Sequence, residues 1–220
     1  MTMKKTLAKK KKPTSPTPEE ARAHLRKVDK TLAKLIDRVG PYALATSKAK
    51  TTFEALARSI VFQQLNGKAA STIFARLVET VGGELTAEAL MTTSDEELRV
   101  AGLSRNKRAS VRDLAARTLA GEIPSLVKMR KMENEAIISA LTEVRGIGRW
   151  TVEMLLMFRL GRGDVLPVSD YGVRKGFMLA YGLAEMPTPD HLSSHGEKWS
   201  PHRTAASWYL WRATELPPTK

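Results

Sequence analysis

Apolar positions recur at helical spacing through most of the chain. In "TTFEALARSIVFQQL", Phe53, Leu56, Ile60 and Val61 fall on one face of a helix. "GKAASTIFARLVETVGG" continues the pattern and stops at Gly82-Gly83. "TAEALMTT" and "SDEELRVAGL" are short and open on Thr and Ser, residues that cap helix starts. "SRNKRASVRDLAARTLAG" reads as a longer basic amphipathic helix between a Ser cap and Gly121. "ENEAIISALTEV" leads into the glycine turn "RGIG", and "GRWTVEMLLMFRL" leads out of it. A turn, "GRGDVLPVS", precedes "DYGVRKGFMLAYG", and "HRTAASWYLWRAT" forms the last helix. At the front, Pro18, Glu19 and Glu20 suit a helix start, and the pattern predicts one helix running to about Val39, before Gly40-Pro41. No segment alternates with period two over a useful length. The expectation is an all-α protein in two helical subdomains, with residues 1–18 a disordered basic tail and 19–220 the folded part.

Composition adds a partner. The chain has 220 residues, 42% of them apolar, enough to build a core. Its net charge is +13; six of those charges sit in "MTMKKTLAKKKK", leaving +7 on residues 13–220. A folded part that stays basic points to a polyanion, because Lys and Arg displace counterions condensed on phosphates. There are no cysteines, which excludes disulfides and cysteine-held zinc or iron–sulfur clusters. His191 and His195 are four apart, but Ser193, Ser194 and Gly196 argue against a helix there, and no third metal ligand is evident. No apolar run reaches the length of a membrane span, and the lysines at the front lack the apolar stretch of a secretory signal.

Three features carry candidate chemistry, each with a plainer alternative. Gly146-Ile147-Gly148 between two helices permits positive φ and close backbone approach, and leaves helix-start amides facing outward, an arrangement suited to a phosphate. Glycines in such turns also occur for geometry alone. Asp170, after Pro167, begins a helix; it is either an N-cap or a carboxylate placed beside a reaction site. Asp164 competes with it but sits as loop acids usually do. Trp150 follows the glycine turn, Tyr171 neighbours Asp170, and Trp208 and Trp211 lie three apart on the final helix. Aromatics of this kind usually pack in cores, yet flat rings also form the walls that hold a base flipped out of a duplex.

"LTEVRGIGRWTVEMLLMF", "DVLPVSDYGVRKGF" and "HRTAASWYLW", together with "RSIVFQQLNGKAASTIF", resemble the helix–hairpin–helix–Gly/Pro/Asp superfamily of DNA glycosylases, and most of all its alkylpurine (3-methyladenine) branch. The resemblance runs from about residue 51 to 215. It implies that Asp170 is the essential aspartate and that the amides flanking Gly146 and Gly148, up to Arg149, hold a DNA phosphate. A monovalent cation held by backbone carbonyls of residues 144–149 is a further implication. Leu65, after Gln63-Gln64, would fill the gap left by the flipped nucleotide. Trp150 and Trp211 would line the base pocket, with Trp208 and Tyr171 as further candidates. Members that also cut the backbone carry a lysine where this chain has Trp150, so no imine with the sugar is expected. Relatives often have an acid just before the essential Asp, where this chain has Ser169.

The implied activity is monofunctional hydrolysis of the N-glycosidic bond of alkylated purines in duplex DNA. It needs no cofactor. The partner is double-stranded DNA with alkylated bases, and the protein is expected to be a monomer, nucleoid-associated or nuclear and not secreted. The rival is a noncatalytic DNA-binding protein that uses the hairpin as a phosphate clamp. A helix-turn-helix regulator fits less well, because "WTVEMLLMF" is too apolar to lie in a groove.

Overall fold

A computed structural model describes residues 17–46 and 49–217. The predicted tail, apart from its last two residues, lies outside them. The described residues form thirteen α-helices and a single 3-10 turn, with no strand among them. The helices are α1 (Pro18–Val28), α2 (Lys30–Val39), α3 (Thr52–Phe62), α4 (Gly67–Thr80), α5 (Ala87–Thr92), α6 (Asp95–Val100), α7 (Arg105–Leu119), α8 (Leu126–Met129), α9 (Asn134–Thr142), α10 (Arg149–Phe158), α11 (Tyr171–Tyr181), α12 (Pro189–Gly196) and α13 (Arg203–Ala213); the 3-10 turn Glu197–Trp199 lies between the last two. None is long and apolar enough to cross a membrane.

The sequence marks most starts correctly. Thr51, Thr86, Ser94 and Ser104 each accept an amide hydrogen bond from the third residue of their helix. Phe53, Leu56, Ile60 and Val61 are all buried, as their spacing requires. Two expectations fail. The single helix expected to run from Pro18 to Val39 is two, because Asp29 turns extended at φ −146° and caps α2 through the amides of Thr31 and Leu32. His191 and His195 do lie on a helix, α12, since Thr188 caps it and Pro189 fits its first turn.

Apolar side chains gather into two cores. One is built by α3 to α10. The other joins the first and last of the described helices, combining α1 and α2 with α11, α12 and α13. Asp29 is the polar centre of the second core, only 4% exposed. Its second oxygen accepts from Tyr181 (2.5 Å), Trp199 Nε1 (2.9 Å) and Lys198 Nζ (3.0 Å), and lies 3.2 Å from His195 Nε2. Burial alone would raise the carboxyl's pKa, but these donors outweigh it and hold it well below the usual carboxylate range. Trp211 packs against both cores, and so marks the seam between them.

Candidate active site

The hairpin between α9 and α10 is set by a few contacts. Gly146 has φ +76°, and a Cβ there would lie 2.6 Å from Ser110 Oγ on α7, so both the turn and the close approach require glycine. Ile147 is buried and pins the turn to the first core. Gly148 is different: a Cβ on it would meet nothing within 4 Å. Nothing inside the protein demands that glycine; its absent side chain clears the outer face of the turn. Gly148 is also the N-cap of α10 and offers no side-chain cap, so the amides ahead of Thr151 and the positive end of the helix dipole are met by no capping side chain.

The Arg149 side chain is already engaged. Its guanidinium forms a two-bond pair with Glu135 on α9 (2.5 and 2.9 Å) and reaches Glu153 at 3.1 Å. It ties the two arms of the hairpin together, and what this position offers outward is its backbone. Glu153, which sequence reasoning missed, is a buried carboxylate whose Oε2 has no partner. Burial raises its pKa; Arg149 opposes that, while Glu135 and Asp170 add to it. The carbonyls of Val144, Gly146 and Gly148 each accept a hydrogen bond, from Ile147 N, Gln63 Nε2 and Thr151 N. A backbone carbonyl has two lone pairs, so these bonds do not by themselves close the turn to a cation, and no step below passes through a metal.

Asp170 caps α11, and its carboxylate also meets two side chains from elsewhere in the fold. Oδ1 accepts from Val173 N at 2.7 Å, which is the N-cap bond of α11, and from Trp211 Nε1 at 2.8 Å. Oδ2 accepts from Trp150 Nε1 at 2.7 Å. Two indoles from different helices therefore converge on one carboxylate. Small residues make this possible: a Cβ on Gly172 would fall 2.8 Å from Trp211 Cδ1, and one on Gly176 would overlap the Leu210 carbonyl at 1.8 Å. Both glycines belong to α11, four residues apart, and they let α13 press against it. That i, i+4 spacing in "YGVRKG" was the available signal for this contact.

Trp150, 44% exposed, also lines a cleft of about 990 Å³ between α3 and α10. Phe62, Phe74 and Phe158 make much of its wall, and Gln63 and Gln64 line it too. Trp211 stacks on Phe158, rings 5.8 Å apart and 21° from parallel. The loop after α3 presents Leu65, 39% exposed, and Gln64 with φ +57°. Trp208 stands apart in the second core, edge-on to Tyr42 at 5.3 Å. Tyr171 is 65% exposed and no contact draws it to the cleft. Asp164 is structural: it pairs with Arg203 (2.6 and 2.8 Å) and Ser200 (2.9 Å), bonds that outweigh burial and lower its pKa.

Chemically, the arrangement offers a helix start without a side-chain cap, an aromatic cleft, and one oriented carboxylate beside it. The sequence pattern of HhH-GPD superfamily base excision DNA repair proteins matches residues 57–202. DNA-3-methyladenine glycosylase 1 of Schizosaccharomyces pombe is 38% identical over 200 residues, covering 90% of this chain and 88% of that protein. The structure of an S. pombe 3-methyladenine DNA glycosylase in complex with abasic DNA superposes with a TM-score of 0.82 at 37% identity, over 91% of this chain and 98% of that one. A DNA-3-methyladenine glycosidase from Bacillus halodurans gives a TM-score of 0.80 at 38% identity, over 90% of each chain.

Proposed function

Since the chain belongs to the HhH-GPD superfamily of base excision DNA repair proteins, and so is a DNA glycosylase of the 3-methyladenine type, we propose that it releases alkylated purines, 3-methyladenine and 7-methylguanine among them, from duplex DNA by base flipping and hydrolysis. The observation that carries the finer reading is the Asp170 carboxylate, held by Trp150 and Trp211 beside an aromatic cleft.

The damaged nucleotide leaves the stack, and Leu65 fills the space it vacates. The base rests against Trp150, where a positively charged alkylpurine gains a cation–π contribution, since Arg58 already lies over Phe62. Alkylation at N3 or N7 has already placed a positive charge on the base. The C1′–N bond therefore breaks with its electron pair going to the base, which departs neutral and needs no general acid. Charge builds on the sugar, and the ionised Asp170 stabilises it. Water adds at C1′ and loses its proton, with Asp170 as the nearest base. The products are a free base and an abasic site. Trp150 cannot form an imine, so the strand stays intact and the enzyme is monofunctional. DNA is gripped at the amides around Gly148 and by the basic surface, and the protein acts as a monomer.

The test compares wild type with Asp170→Asn on methylated duplex DNA. Asn caps helices as well as Asp, so this change spares the start of α11 while removing the charge and the acceptor that faces Trp150. The expected result is base release by wild type alone, with strand breaks appearing only after alkali. DNA binding without release by either protein would instead establish a noncatalytic clamp.

A further inference from the structure

One face of α7 touches both of the loops that the glycosylase reading assigns to DNA. Lys107, Ser110 and Asp113 are spaced three apart along it. Lys107 Nζ donates to the Val61 carbonyl at 2.6 Å and the Gln63 carbonyl at 2.9 Å, where α3 ends and the Leu65 loop begins. Ser110 packs beneath Gly146 in the hairpin. Asp113 Oδ2 accepts from Arg145 N at 2.8 Å, one residue before that glycine. The two loops also meet directly, Gln63 Nε2 donating to the Gly146 carbonyl at 2.9 Å.

The last carbonyls of a helix have no partners within it and carry its negative end. Here the cation that satisfies them comes from another helix, more than 40 residues along the chain. The residue after Gln63 is the non-glycine Gln64 at φ +57°, a conformation that persists only where its surroundings hold it. Lys107 grips the carbonyl next to it. Burial also lowers this amine's pKa, consistent with a group drawn into the fold and spent on carbonyls instead of phosphates.

We propose that Lys107 is a positioning residue: it holds the Gln63–Asn66 loop in the geometry that presents Leu65 to the base stack, and α7 fixes that loop at a set distance from the phosphate-binding hairpin. Leu65 insertion and phosphate anchoring are thereby registered to one another. This rests on the function proposed above.

The experiment uses the full chain and a single 7-methylguanine, placed opposite cytosine in a duplex or within a mismatched bubble. Lys107→Met is expected to slow excision from the paired site roughly tenfold or more, as misplacement of a working group does, and to change the bubble substrate by less than about threefold. Combined with Leu65→Ala it should be no worse than Leu65→Ala alone. The slope of log affinity against log salt should stay at the wild-type value. Equal losses on both substrates, or effects that multiply in the double variant, overturn the proposal. A shallower salt slope would overturn it too, by making Lys107 a phosphate ligand.

A second readout does not need catalysis. With 2-aminopurine beside a stable abasic analogue, bound wild type should raise the fluorescence; Lys107→Met should bind without doing so, and an undiminished rise overturns the proposal. If wild type releases no 7-methylguanine, that part of the function proposed above fails by itself and the fluorescence still judges Lys107. Should Lys107→Met not fold, Lys107→Gln, which keeps an uncharged donor group on a shorter stem, takes its place with an intermediate loss expected in both readouts.

Discussion

Asp170 accepts three hydrogen bonds, and each one limits what the carboxylate can do. The Val173 amide fixes it to the start of α11. The two indoles aim its oxygens and leave its charge intact, since an indole N–H donates without neutralising. Asp170→Asn should lower excision by a factor on the order of a hundred to a thousand, the loss typical of removing one electrostatic contact to a transition state, while the melting temperature stays near wild type. Base release and thermal melting on the same preparation check both halves. Trp150→Phe keeps a ring in the cleft and deletes the donor to Oδ2. It should reduce the single-turnover rate more than the affinity for abasic DNA. A fall confined to affinity would make Trp150 a wall and nothing more.

At the scale of elements, the site depends on how closely α11 and α13 approach. Gly176 lies against the Leu210 carbonyl with no room for a methyl group. Gly176→Ala should therefore destabilise the fold by about 1–3 kcal/mol or more, the usual cost of overpacking, and should impair excision as well, because displacing α13 moves Trp211. Denaturant unfolding and base release should fall together. The Asp29 joint between α1 and α2 is the other vulnerable element. Asp29→Ala removes a cap and strands the buried donors of Tyr181 and Trp199, with an expected loss on the order of 3 kcal/mol. Unlike Gly176→Ala, it should spare the excision rate of whatever fraction remains folded, because the joint lies in the second core, away from Asp170.

Over the whole molecule, pH acts through that same joint. The Asp29 carboxyl titrates below its ordinary range in the folded state, so its stabilisation is complete above the unfolded pKa of about 4 and is lost as pH falls below that. Burial lowers the pKa of His195 and of His202, so the folded state prefers their neutral forms, and stability also declines as pH drops from about 6.5. Melting temperature should fall in two stages on acidification, and Asp29→Asn should flatten the lower one. Charge acts at the same scale. With six of the chain's +13 charges in the first twelve residues, deleting residues 1–16 should leave excision at low salt largely unchanged and make affinity less salt-dependent. Titrations at several salt concentrations would show it.

Helix positions, caps and the order of the chemistry-bearing segments were legible in the chain, because they depend on neighbours a few residues apart: a Thr or Ser before a periodic run, a glycine after it, Asp170 behind Pro167. The joint at Asp29 was not, because an aspartate inside a helical pattern reads as a surface residue until Tyr181, Lys198 and Trp199, more than 150 residues away, arrive to donate to it. The same limit separates Trp208 from Trp211. Both sit on one side of α13 by spacing, yet one packs on Tyr42 and the other reaches Asp170, since only the crossing of α11 and α13 determines which indole meets the carboxylate. Local sequence thus determined the elements and left Asp170 as either a cap or a reaction-site carboxylate, which only the family resemblance singled out. Only the tertiary structure decided that two indoles would converge on it, and that Lys107 would brace the Leu65 loop, because side chains distant in sequence acquire partners only once the helices have packed.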